Sequence, residues 1–154
     1  MDAAGLPTVY TDDIRAVLWA KVAYNCALNP HSALLDVPYG ALAKTEHTRS
    51  IIRDVIAELY RVGEAVGVNL KPRSDAEYLD LLFEKLIPPT AAHYASMRED
   101  FRRKRRTEID ALNGAICRYG ARHQLTCPTN TVLTGLVHAR ERALGIVQKH
   151  TSGR

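Results

Sequence analysis

Apolar residues recur at intervals of three and four positions in one segment after another of this 154-residue sequence. The longest such segment runs from about Thr45 to Val66, and its wide apolar stripe ends before Gly67, a residue typical of helix C-termini. No run of alternating β-branched residues between turn dipeptides indicates a strand. The sequence therefore predicts an all-α, multi-helix fold, and a chain of this length can bury one continuous core.

Capping residues and prolines place the other helices. Thr11 or Asp12 is suited to cap a first helix, which we expect Pro30 to end. Ser74 and Glu77 form a capping-box pattern that predicts another helix start. The remaining helices are expected from Ser96 to about Arg105, from about Ile109 to between Gly120 and His123, and from Pro128 to about Gly145.

The composition gives weaker indications about partners and compartment. The formal charge of +4 comes from basic residues spread along the chain, except for one run at Arg102–Arg106 that no nucleic-acid motif accompanies. Three cysteines without a CxxC pair fit a reducing compartment, so we expect a cytoplasmic location. No apolar stretch approaches the roughly 18 residues of a membrane helix, and no signal-peptide pattern opens the chain. Neither a nucleic-acid nor a membrane partner is expected.

Motifs of common single-domain enzymes are missing from the sequence. The nine glycines include no Gly-x-Gly pair, which excludes a dinucleotide fingerprint and a Walker-type phosphate loop. The six histidines include no HExxH pair, so no metal site is predicted. A Gly-x-Ser-x-Gly nucleophile elbow is also absent. Any chemistry must therefore depend on polar side chains outside these motifs.

A row of polar residues is predicted on the first helix. Lys21, Asn25 and Asn29 are spaced four apart, so their side chains stack along one face, which continues an apolar stripe ending at Leu18. A polar row in that position is expected to point toward a packed or semi-enclosed region, where a bound anion with a carbonyl or hydroxyl group would pair with it. The alternative is a solvated edge from which Lys21 extends into water, and spacing alone favours this alternative.

A second polar cluster spans Ser96–Gly114. It contains Glu108, expected where a helix begins, a position at which the helix dipole stabilises an ionised carboxylate. Glu108 and its neighbours are also ordinary helix-start residues, so this cluster alone does not indicate a site. The basic run Arg102–Arg106 within it is expected to be a solvated face or an interdomain contact.

Together, the two clusters resemble a known family. The segment Asp13–Pro30 with its polar row resembles the opening of the C-terminal domain of ketopantoate reductases. The cluster Ser96–Gly114, followed by Pro128–Asn130, resembles that domain's second motif and its closing helix, in the same order and spacing. The likeness extends over Ala4–Ala143 and implies the fold of 6-phosphogluconate dehydrogenase C-terminal-like domains.

The resemblance implies a role for each residue. Lys21 matches the family's catalytic lysine, which donates a proton to the substrate carbonyl oxygen while a hydride arrives from NADPH. Glu108 matches the carboxylate that organises substrate and lysine, and the substrate-binding residues match Asn25, Asn29 and Ser96. The implied reaction reduces a 2-oxo acid, ketopantoate, to pantoate in pantothenate biosynthesis.

Two departures from the family pattern stand out. Ala95 occupies a position where many relatives carry a second serine, and this loss of a hydroxyl donor is expected to alter substrate preference. Cys127 stands before Pro128, where Thr or Val is more frequent.

The family's NADPH is held mainly by an N-terminal Rossmann domain, which this sequence lacks and which we expect as its partner. Residues 1–11 are then expected to be a remnant of the interdomain connection, residues 12–147 the helical substrate-binding domain, and residues 148–154 a disordered tail. Met1 would start an excised domain or a truncated reading frame. The isolated chain would be inactive, because nothing would hold the hydride donor against the substrate.

Other classes of function stay open at this point. A free-standing helical interaction or ligand-binding module derived from the same domain is the main alternative, and the long helix Thr45–Val66 could form a homodimer interface in either case. A nucleic-acid binder using Arg102–Arg106 is a weaker alternative. The joint presence of Lys21, Asn25, Ser96 and Glu108 favours the enzyme, because an interaction module would not need all of these side chains.

Overall fold

The computed structural model describes residues 14–146, and within them the chain forms α-helices and no β-strand. The all-α prediction is confirmed for this range. No helix in it is both long and apolar enough to cross a membrane. The proposed caps Thr11 and Asp12, the connection at 1–11 and the tail at 148–154 lie outside the described residues.

The described range holds seven α-helices joined by short connections. They are α1 (Ile14–Leu35), α2 (Tyr39–Leu42), α3 (Glu46–Ala65), α4 (Asp75–Leu81), α5 (Ser96–Arg102), α6 (Asn113–Arg122) and α7 (Pro128–Ala143). A π-helical turn at Leu82–Leu86 follows α4 directly, and 3₁₀ turns lie at Pro88–Thr90 and Ile109–Ala111.

Helix α3 buries the wide apolar stripe that the sequence shows. The Thr45 side chain caps its start by accepting a hydrogen bond from the Thr48 N–H at 3.3 Å, and Gly67 follows its end with φ of 71°. It packs against α1, α4, α6 and α7. Its fully buried apolar side chains are Ile52, Val55, Ile56, Leu59 and Val62.

The prediction that Pro30 ends the first helix is wrong, since α1 continues to Leu35. Proline has no N–H, so the carbonyl of Cys26 loses its helical hydrogen bond. The side-chain amide of Asn113 replaces that donor and lies 3.2 Å from the Cys26 oxygen. The helix ends instead where Asp36 adopts a left-handed backbone with φ of 55°.

The later helices follow the predicted starts but not all the predicted lengths. Ser74 caps α4 by accepting from the Glu77 N–H at 3.2 Å, and Pro128 opens α7, both as expected. Helix α5 ends at Arg102 rather than near Arg105, because Lys104 lies in the left-handed region with φ of 51°. The stretch beginning at Ile109 is divided into a 3₁₀ turn and α6 by the non-helical backbone between them.

Candidate active site

The predicted polar row on α1 runs from the surface into the core. Lys21 is exposed, Asn25 is half-buried and Asn29 is buried, with 3% of its surface accessible. Within residues 14–146, no hydrogen bond or ion pair engages the Lys21 ammonium. The structure therefore encloses Asn29 as expected. The same expectation is wrong for Lys21, which is exposed.

The apolar stripe before Lys21 is also open to solvent. Ile14, Val17 and Leu18 are 60%, 51% and 54% exposed, because the opposite side of α1 faces the core. Trp19, on the core side, packs against Tyr119 of α6 with ring centroids 6.3 Å apart. Lys21 consequently stands at the end of an exposed apolar stripe.

A tyrosine holds Asn29 in one orientation. The Tyr39 hydroxyl donates to Asn29 Oδ1 at 2.9 Å, and both side chains are buried. The Asn29 oxygen is thereby occupied, while its Nδ2 donors have no partner among the described residues. The end of the amide left available donates hydrogen bonds, which suits a carboxylate or carbonyl oxygen of a ligand.

Ser96 stands beside the C-terminal part of α1. It is the first residue of α5 and is exposed, and the preceding Ala95 N–H donates to Ser32 Oγ at 3.1 Å. Ser32 lies one turn of α1 beyond Asn29. Ala95 itself is buried, so the methyl group that replaces the family's second serine faces the interior.

Glu108 lies close enough to the middle of the same helix for its charge to act on Cys26. Its carboxylate is exposed, and its negative charge adds to the burial and to the Cys117 thiol in raising the pKa of Cys26. Asn113, which contacts the Cys26 carbonyl, fixes the start of α6 against α1 shortly after Glu108. Each predicted site residue therefore lies on α1 or beside it.

A buried polar network that the sequence did not predict connects these elements. The Asn113 amide also donates to Asn130 Oδ1 at 2.9 Å, and Asn130 Nδ2 donates to Glu58 Oε2 at 2.6 Å. Glu58 also accepts from the N–H groups of Thr129 and Asn130 at 2.8 Å and 3.0 Å. A carboxylate from α3 thus caps the start of α7, where Cys127 offers no side-chain cap.

The segment carrying Glu108 is attached to α7 by a second buried carboxylate. Glu141 Oε1 accepts from both the N–H and the hydroxyl of Thr107, at 2.8 Å and 2.7 Å. His138 places Nδ1 3.0 Å from Glu141 Oε2 and Nε2 2.9 Å from Asp110 Oδ1. The sequence offered no signal for these pairs, because Thr107 and Glu141 are 34 positions apart.

The basic run Arg102–Arg106 is exposed. Three of its guanidinium groups pair with nearby carboxylates: Arg103 with Glu99, Arg105 with Asp100, and Arg106 with Asp110. This arrangement agrees with the predicted solvated face. Much of the positive charge of the run is neutralised locally.

A cavity among the described residues lies away from this site. It has a volume of about 650 Å³ between the end of α3 and the start of α4, and Tyr60, Arg61, Asn69 and Arg73 are among its lining residues. None of the predicted site residues lines it. Within residues 14–146, no group of three His, Cys, Asp or Glu side chains is placed to hold a metal ion.

The structure thus defines an all-α domain whose first helix carries a polar row next to an exposed apolar stripe. Over residues 13–141 the chain matches the family described as "Ketopantoate reductase PanE/ApbA C terminal". It belongs to the family of ketopantoate reductase C-terminal domains.

Individual relatives agree with this assignment. The 2-dehydropantoate 2-reductase of Aquifex aeolicus is 46% identical over 90% of this chain and 44% of its own length. The enzyme of the same name from Vibrio cholerae is 33% identical over 89% of this chain and 45% of its own length. The chain therefore spans about half the length of the curated relatives it matches.

Solved structures agree as well. A PanE/ApbA family ketopantoate reductase from Ralstonia eutropha JMP134 superposes with a TM-score of 0.81 and 35% identity, over 92% of this chain and 46% of that one. A D-mandelate dehydrogenase, in complex with NADH and anilino(oxo)acetate, gives a TM-score of 0.78 and 30% identity over 89% of this chain and 44% of that one.

Proposed function

We propose that this chain is the substrate-binding and proton-donating part of an NADPH-dependent 2-dehydropantoate 2-reductase, which reduces ketopantoate to pantoate. The observation that carries the proposal is the position of Lys21, Asn25, Asn29, Ser96 and Glu108, all on α1 or beside it. The family membership gives this set a common purpose, because a relative named for the reaction is 46% identical to the chain.

Reduction of a 2-oxo acid needs a proton at the oxygen that becomes a hydroxyl. When bound, NADPH supplies a hydride to C2. We assign the binding of its phosphates to another domain, because this sequence contains no Gly-x-Gly turn. The Lys21 ammonium then donates its proton to the developing alkoxide. Asn29 Nδ2 donates hydrogen bonds to the substrate, as does the Ser96 hydroxyl, and Glu108 orients the lysine and the substrate hydroxyl.

The exposed apolar stripe on α1 supports contact with a nucleotide-binding domain. Ile14, Val17 and Leu18 form a contiguous apolar surface that ends at Lys21. Such a surface favours coverage by another protein surface. A nucleotide-binding domain seated there would bring its cofactor to the Lys21 end of the polar row and enclose the ammonium.

A joined protein tests the proposal. We would fuse this chain to the part of the Aquifex aeolicus relative that it does not match, and follow NADPH oxidation with ketopantoate. The fusion should turn over, and Lys21→Ala should lower kcat by roughly 10²- to 10⁴-fold, the usual contribution of a positioned general acid.

Lys44→Ala, at an exposed lysine outside the polar row, is the matched control and should leave turnover unchanged. Near-normal activity of the Lys21→Ala fusion would overturn the assignment of the acid. Comparison of Ala95→Ser with the unaltered fusion, on ketopantoate and on a 2-oxo acid with an aromatic side chain, measures how Ala95 affects substrate preference.

A further inference from the structure

Two contacts attach the Glu108 segment to α7, one on each side of Glu108. Thr107, immediately before Glu108, gives both its N–H and its hydroxyl to Glu141. Asp110, two positions after Glu108, accepts from His138 at 2.9 Å. The Glu108 backbone is therefore fixed from both directions, although its carboxylate is exposed.

The charges around His138 favour a doubly protonated ring. Burial disfavours the charged form, but hydrogen bonds and negative charges from Glu141 and Asp110 outweigh it and raise the pKa of His138. Arg106, paired with the Asp110 carboxylate at 2.8 Å, and Arg118, which donates to the Asp110 carbonyl at 2.9 Å, are further charged side chains at this cluster. With a proton on each nitrogen, His138 can donate to both carboxylates at once.

Helix α7 is itself held rigidly against the bundle. Glu58 caps its start, and Asn130 joins it through Asn113 to α1. A segment attached to α7 therefore takes a defined position relative to α1, which carries Lys21.

We propose that His138 and Glu141 are positioning residues for Glu108: they fix the 107–110 segment and so set where its carboxylate stands relative to α1. The inference rests on the proposed function, in which Glu108 acts on substrate and lysine. It assigns a task to a buried carboxylate and a half-buried histidine that lie on α7, outside the polar row.

A double-mutant cycle in the joined protein tests this role. His138→Gln should lower kcat/KM roughly 10- to 100-fold, the scale expected when a reacting group is displaced by a fraction of an ångström. In a Glu108→Gln background the same substitution should have little further effect, because both changes act through one carboxylate. His123→Gln, at an exposed histidine, is the matched control and should change nothing.

The proposal would be overturned if His138→Gln lowered kcat/KM by the same factor with and without Glu108→Gln. Full activity of His138→Gln would also overturn it. Should His138→Gln fail to fold, Asp110→Ala removes the outer contact with His138, together with the Arg106 ion pair, at a half-exposed side chain, and completes the same cycle.

NMR spectroscopy of the chain by itself separates this inference from the proposed function. His138→Gln should increase amide exchange at residues 107–112 and shift the Glu108 carboxyl resonance, while amides of α3 keep their protection. An unchanged Glu108 resonance would contradict the positioning role whether or not the joined protein turns over. An inactive wild-type fusion with the expected NMR changes would count against the proposed function alone.

Discussion

Asn29 illustrates how one neighbouring side chain can decide what an amide offers to a ligand. Tyr39 donates to its oxygen, and the Tyr39 ring is held edge-on by Tyr24 at a centroid distance of 5.9 Å. Burial, followed by the neighbouring Tyr24, raises the pKa of Tyr39 to about 12, so its hydroxyl stays a neutral donor near neutral pH. The pair presents the Asn29 N–H groups rather than its oxygen.

Tyr39→Phe should weaken substrate binding by releasing that orientation. A neutral hydrogen bond contributes about 0.5–1.5 kcal/mol, so we expect KM of the joined protein to rise by up to about ten-fold, with a smaller change in kcat. Tyr94→Phe, at an exposed ring, is the control. An unchanged KM in steady-state assays of Tyr39→Phe would show that Asn29 does not depend on this donor.

At the scale of elements, local patterns predicted helix starts better than helix ends. Thr45, Ser74 and Pro128 act within one turn of their own positions, so their effect is readable from sequence. Pro30 misled the prediction because the donor that replaces its missing N–H is the amide of Asn113, far along the chain. The continuity of α1 therefore depends on another helix.

This dependence predicts coupling between Pro30 and Asn113. Asn113→Ala leaves the buried Cys26 carbonyl without a donor and should cost about 1–3 kcal/mol in the free energy of unfolding. Pro30→Ala restores a backbone N–H to the same carbonyl, so it should be more favourable in the Asn113→Ala background than in the wild type.

Urea unfolding of the single and double variants measures this coupling. Pro89→Ala, at an exposed proline, should show the same effect in both backgrounds. Equal effects of Pro30→Ala in the two backgrounds would mean that the Asn113 amide does not replace the hydrogen bond that Pro30 cannot donate to the Cys26 carbonyl.

Across the whole molecule, the polar contacts that build the site join distant parts of the sequence. Glu58 and Asn130 are 72 positions apart, and Cys26 and Asn113 are 87 positions apart. Single residues such as Glu58 or His138 look like ordinary surface positions in a helical pattern, so spacing could not reveal their partners. The row Lys21, Asn25 and Asn29 follows from the spacing on one helix, whereas only the family resemblance singled out Ser96 and Glu108, and the roles of all five residues stay predictions.

The charged groups of Asp110, His138 and Glu141 also make the free energy of unfolding depend on pH. In Asp110 and Glu141 burial is outweighed by hydrogen bonds, which lower the pKa of each carboxyl, so their contribution is lost as the pH falls through these lowered values. The pKa of His138 is raised, so its contribution is complete below the ordinary value of 6.5 and is lost as the pH rises through the raised value. Buried His31 has a lowered pKa and acts in the opposite sense.

Comparison of wild type with His138→Gln isolates the histidine, because His31 and the cysteines are common to both proteins. At about pH 6 the variant should be less stable by about 1–3 kcal/mol, the range for hydrogen bonds to charged groups. The difference should shrink toward about pH 9, because neutral His138 donates only one hydrogen bond, as glutamine can. Urea unfolding at several pH values measures it, with His123→Gln as the control. A difference that stays constant across this range would contradict a charged His138 between Glu141 and Asp110.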